Sequence, residues 1–186
     1  RRPRRNGAQP CEAAARAAQA LMRAAPARAD EVRRTAELAL REGDPVLAAD
    51  LIETLPPDQA PLSLRVRALV AAGRPERAEA ALAAEEPADA PGLTEHARLH
   101  LLAGRPDRAE ELADLALALR DTPRTRLVAG RAALAQGRFL EAAEHLARIP
   151  PGTSVAPEAR TALAQALRAQ ALPHLADEVE TTPPPR

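Results

Sequence analysis

The sequence predicts an all-α fold built from about five helix-turn-helix units, and three observations lead there. The first is repetition. Gly104-Arg105-Pro106-Asp107-Arg108-Ala109-Glu110 nearly copies Gly73-Arg74-Pro75-Glu76-Arg77-Ala78-Glu79. The same frame, a turn glycine or alanine with Pro or Phe two residues on and Ala five residues on, returns at Gly43, Gly137 and Ala171. These anchors lie 30, 31, 33 and 34 residues apart. A period of that length signals an array of two-helix units, each burying its face on its neighbours. The second observation is composition. Ala, Leu, Arg and Glu are strong helix formers, and runs of Val, Ile and Thr are missing. Phe139 is the only aromatic residue, so Ala and Leu must carry the packing. The third is register. Ala36, Val66, Ala97, Gly130 and Ala164 stand seven residues before the anchors, and Ala48, Ala78, Ala109, Ala142 and Ala176 stand five after them. Small side chains at both places let paired helices approach at the short end of the ~8–10 Å interaxial range.

Each element then follows in order. Residues 1–9 are basic and unpatterned, which predicts a disordered arm. Pro10–Ala24 reads as a helix with Pro in its first turn, either a cap or the second half of an upstream unit, so that residues 10–28 precede an array spanning 29–181. First helices are predicted over Asp30–Glu42, Ala60–Ala72, Leu93–Ala103, Thr125–Gln136 and Pro157–Gln170. Second helices are predicted over Pro45–Leu55, Pro75–Glu86, Pro106–Arg120, Phe139–Ile149 and Pro173–Thr181. Proline suits the opening of a second helix because the first-turn N–H lacks an intrahelical partner anyway. The preceding glycine supplies the positive φ that ends the first helix. Pro56-Pro57, Pro87, Pro123 and Pro150-Pro151 stop the second helices, and residues 182–186 form a proline-rich tail.

Small residue, turn glycine and alanine, seven and five apart in a helical unit of ~34 residues, resemble the tetratricopeptide repeat. Gly130, Gly137, Phe139 and Ala142 make the closest match, and the resemblance covers about Asp30 to Glu180. The first-helix Trp and Tyr of that family are missing, and two spacings fall short of 34. The resemblance implies a right-handed superhelical α-solenoid, with first helices lining a concave groove and second helices forming the convex back. It also implies a non-catalytic scaffold for protein–protein interaction.

Charge refines that expectation. The chain is formally neutral, with 26 basic and 26 acidic residues, which disfavours a bulk polyanion partner and makes nucleic-acid binding unlikely. First helices two to five nonetheless carry Arg65, Arg67, Arg98, Arg124, Arg126, Arg131, Arg160 and Arg168 against Glu95 and Glu158, whereas acids outnumber arginines on the second helices. With the resemblance, a basic groove follows. Arg67, Arg98 and Arg131 stand six residues before successive anchors, a ladder of roughly 10 Å steps flanked by Arg65 and Arg126. Guanidinium grips carboxylate bidentately, so an acidic peptide or helix of a protein partner is the expected ligand. Salt-bridged, solvated faces are the competing reading.

Other chemistry is thin. Ser63 and Ser154 sit in no nucleophile elbow, the glycines form no phosphate loop, and no enzyme or cofactor is expected. His96 and His100, four apart on one helix face, are a weak zinc or nickel candidate without a third ligand. Cys11 alone permits no internal disulfide. No apolar run spans a membrane. The Arg-rich start resembles a signal peptide, but Arg16, Arg23 and Arg28 interrupt the segment that follows. The chain begins with Arg rather than Met, so it reads as a processed or excised piece. A structural or regulatory segment packing on its own neighbouring domains is therefore the alternative function. Lys-free, Arg-heavy usage hints at a GC-rich bacterial genome, and a cytoplasmic location is favoured over a periplasmic one; the number of subunits is left open.

Overall fold

The computed structural model describes residues 26–181; the expected basic arm, the Pro10–Ala24 helix and the proline-rich tail lie outside them. The described residues are all-helical, with no strand. They fall into two compact units, one ending at Ala84 and the other beginning at Glu85.

The first unit holds α1 (Pro26–Glu42), α2 (Pro45–Glu53), a short 3-10 turn (Pro57–Gln59), α3 (Leu62–Ala71) and α4 (Pro75–Ala83). Here α2 packs against both α1 and α3, and α4 packs on α3. The second unit holds α5 (Ala90–Leu102), α6 (Pro106–Leu119), α7 (Pro123–Ala135), α8 (Phe139–Ala147), α9 (Ala156–Ala169) and α10 (Pro173–Thr181). In it α7 is flanked by α5 and α9, while α6 wedges between α5 and α7 and α8 between α7 and α9. This is repeat-like packing of helix pairs. The chain is already helical at Pro26, ahead of Asp30, so the first pair reaches into the segment expected to precede the array. Asp30 is one turn inside α1 and pairs with Arg33 instead of capping the helix.

The expected punctuation works through backbone geometry. Gly43, Gly73, Gly104 and Gly137 have φ between 71° and 84°. At each the residue after the glycine donates its N–H back into the closing helix: Asp44 to Ala39 O at 2.8 Å, Arg74 to Leu69 O at 2.8 Å, Arg105 to His100 O at 2.8 Å and Arg138 to Ala133 O at 2.9 Å. That is the Schellman closure, which satisfies carbonyls the helix end would otherwise orphan. Side chains cap the opposite ends, Asp44 accepting from Leu47 N–H at 3.0 Å and Asp89 from Gly92 N–H at 2.8 Å. Pro91, Pro123 and Pro157 stand in the first turns of α5, α7 and α9. Pro123, expected to stop a second helix, therefore opens the next one.

The register residues are buried as expected. Ala36, Val66, Ala97 and Ala164 before the anchors, and Ala48, Ala78, Ala109, Ala142 and Ala176 after them, are all 0% exposed. Gly130 shows why no larger group fits. A Cβ built on it would stand 2.6 Å from Leu146 Cγ and 3.3 Å from Ala142 O, so α7 meets α8 at the backbone. Around this contact Leu127, Leu146, Ile149 and Ala162 form one core, and Leu93, Leu112, Ala113 and Val128 form another.

Ala171 takes the glycine position of the last turn with φ at 59°, and Leu172 N–H still closes onto Leu167 O at 3.0 Å. An L-residue there costs about 1–2 kcal/mol, partly offset by the entropy that glycine would lose, roughly 0.5–1 kcal/mol. Ala171→Gly should therefore raise stability by about 0.5–1 kcal/mol, read as a higher urea midpoint at unchanged slope. A lower midpoint contradicts this account of the turn.

Candidate functional site

In the second unit α5, α7 and the start of α9 enclose a crevice of about 550 Å³. Arg98 from α5, Arg124 and Arg131 from α7, and Glu158 from α9 line it. Its apolar wall comes from Leu101, Leu127, Val128 and Val155, with Leu102 at 41% exposure beside them. Helical spacing produces this arrangement. Arg124, Val128 and Arg131 are separated by four and three residues, which sets them on one face of α7.

A chain of hydroxyls fixes α5 against α7. The buried Thr94 donates to Ala90 O at 2.8 Å, its Oγ lies 2.9 Å from the buried Thr125 Oγ, and that lies 2.8 Å from Thr122 Oγ. Thr122 Oγ in turn accepts from Thr125 N–H at 3.2 Å, capping α7. Every hydroxyl thus finds a partner, as groups taken out of water must.

Two arginines of the expected ladder fall within the second unit. Arg98 and Arg131 share the crevice, together with Arg124, which the six-before-anchor rule does not select. Arg67 belongs to the first unit, exposed on α3, and among the described residues it has no hydrogen-bond or ion-pair partner. Arg65 turns elsewhere, into a crevice of about 320 Å³ that it shares with Ile52, Glu53, Leu69 and Arg77. Arg126 is largely covered, its side chain 17% exposed, and pairs with Asp121.

The arginines of the crevice also bring their own counterions, which charge counting along the sequence misses. Glu95 accepts from Arg98 Nε at 3.0 Å and Nη2 at 2.6 Å, a parallel two-bond pair, and from Arg124 Nη2 at 3.4 Å. The hydrogen bond from Arg98 holds the Glu95 carboxyl below its usual range against the opposing cost of burial, and the same bond raises Arg98. Arg131 pairs with Glu158 across from α7 to α9. Arg168 points away from these: it donates to Glu180 at 2.8 Å and to Asp177 at 3.1 Å on α10, which push its pKa up.

The second helices carry ion pairs of their own. In the first unit Arg74 bridges Asp50 at 2.7 Å and Glu53 at 2.9 Å. In the second, Arg138 joins Glu110 and Glu141, and its hydrogen bond holds Glu110 below its usual range. Gln136 and Gln170 add an in-register link: each precedes an anchor and donates to the first residue of the preceding second helix, Pro106 O at 3.3 Å and Phe139 O at 3.1 Å. Only coordinates reveal that pairing, since the other anchors are preceded by Glu or Ala.

His96 is buried at 8% exposure and His100 half-buried on the same helix. Among the described residues no group of three or more His, Cys, Asp or Glu side chains could hold a metal ion, and no helix is long and apolar enough to cross a membrane. No protein-family model matches this chain, and no curated protein is similar enough to count as a relative.

Burial lowers the pKa of His96 from its ordinary 6.5, against the opposing pull of Glu85 and Glu95. The folded chain therefore resists a proton that the unfolded chain accepts. His96 adds no penalty above about pH 6.5, and stability falls as pH drops below that value towards the lower folded-state pKa. Urea unfolding at pH 7.5 and pH 5.5 should show a larger loss in the parent protein than in His96→Leu. An equal loss in both removes His96 as the cause.

Proposed function

We propose that the chain is a non-catalytic tetratricopeptide-like scaffold, a right-handed solenoid of about five helix pairs whose groove binds an acidic peptide or helix of a partner protein. The observation that carries this reading is the crevice of the second unit, where three guanidinium groups face one lining carboxylate beside an apolar wall. Arginine forks match carboxylates in two-bond geometry and are weakly hydrated, so they suit a partly dry groove. The apolar wall adds affinity for aliphatic side chains of the same ligand. Arg67, six residues before its own anchor, is the equivalent position of the first unit.

An array of short peptides mixing Asp or Glu with Leu, each paired with its Asn/Gln counterpart, tests the reading. Acidic members should bind better than their amide counterparts, and binding should weaken with added salt. Arg124→Glu with Arg131→Glu should weaken binding by about tenfold or more, the size expected for lost hydrogen bonds to charged groups at 1.5–3 kcal/mol each. The helical circular dichroism should not change. Equal binding of acidic and amide peptides, or full binding by the double variant, rejects the proposal.

A further inference from the structure

We propose that Glu158 is the crevice's own stand-in for ligand: its carboxylate occupies Arg131 until a carboxylate of the incoming acidic peptide displaces it. This rests on the groove reading above and adds a device that selects the ligand.

The two acids beside the crevice are held in different ways. Glu95 grips Arg98 with two bonds, at 3.0 and 2.6 Å, and touches Arg124 as well. Its side chain is 34% exposed and that of Arg98 36%. That pair is built into the wall, and it fixes where the Arg98 guanidinium stands. Glu158 comes nearest to Arg131 at Oε1 and Nη1, with side chains 47% and 46% exposed. Neither has another hydrogen-bond or ion-pair partner among the described residues, and the charge of Glu158 also reaches Arg98. Half-exposed pairs of that kind are the weakly held ones, because water and salt screen them. A ligand carboxylate that also gains from Arg124 and from the apolar wall can therefore take the place of Glu158.

Position makes the exchange reversible. Glu158 lies in the first turn of α9, where the positive end of the helix dipole favours a carboxylate. Once released, it keeps that stabilisation without Arg131. A ligand lacking a carboxylate has nothing to offer Arg131 in return, so Glu158 stays in place and the crevice stays partly occupied. Val155, Leu127 and Leu101 stand beside the pair in the lining. The favoured ligand thus carries an aliphatic side chain next to its acid.

The test compares the parent protein, Glu158→Gln and a control, Glu111→Gln, whose acid is exposed on α6 and pairs with Arg108 outside the crevice. The probe is a fluorescein-labelled peptide alternating Glu with Leu, and its amide counterpart alternates Gln with Leu. Glu158→Gln should bind the acidic probe about two- to fivefold more tightly than the parent, the fold-change that matches a surface ion pair. It should leave the amide probe unchanged, and Glu111→Gln should match the parent on both. Equal tightening in Glu111→Gln assigns the effect to net charge and overturns the proposal. Acidic-probe binding that is equal in the parent and Glu158→Gln overturns it while leaving the groove reading intact. No acidic-probe binding by any of the three overturns both.

Discussion

The structure depends on short side chains where helices cross. Where Ala36, Ala97 or Ala164 meets a neighbouring helix, no solvent reaches it, and the same holds for Ala48, Ala109, Ala142 and Ala176. Close approach replaces large side chains as the source of contact: many atom pairs at optimal separation add up even though each contributes little. A chain with one phenylalanine and no tryptophan or tyrosine can therefore still pack to density, provided nothing larger enters these positions. Gly130 is the limiting case, where even a methyl group would collide with Leu146.

The crevice inherits its form from that nesting. In the second unit α7 is held between α5 and α9, and the buried threonine chain sets α5 and α7 in register, so Arg98 of α5 meets Arg124 and Arg131, two helical turns apart on α7. The charge pattern has more than one cause. Acids in first turns, such as Asp107 of α6 and Glu141 of α8, lie where the helix dipole favours them. Arg74, Arg138 and Arg168 answer the acids of second helices. Around the crevice stand Arg98, Arg124 and Arg131, partly neutralised by Glu95 and Glu158.

The helices were legible because glycine and proline mark their ends through local backbone physics. The errors have the same source. Pro123 looks like a breaker in sequence, yet a first-turn proline is equally compatible with a helix start, and Thr122 provides the cap. Asp30 is the expected start of the first helix but sits inside α1, because residues 26–29 before it are themselves helical. The burial of the register alanines was legible because it repeats. The pairing of Arg131 with Glu158, or of Arg168 with Glu180, was not: it joins residues 27 and 12 positions apart, and it depends on how two helices face each other. Counting charges per helix cannot show which acid reaches which arginine.

Helix crossing at short side chains is tested most directly by a change of volume at one such position. Ala142 is fully buried on α8, whereas Ala147 is exposed on the same helix, and alanine and leucine have similar helix propensity. The measurement is the urea midpoint of Ala142→Leu beside Ala147→Leu. Overpacking should cost Ala142→Leu about 1–3 kcal/mol while Ala147→Leu stays near the parent. A leucine at 142 tolerated as well as one at 147 would contradict the close crossing of α7 and α8, and with it the geometry that brings the crevice arginines together.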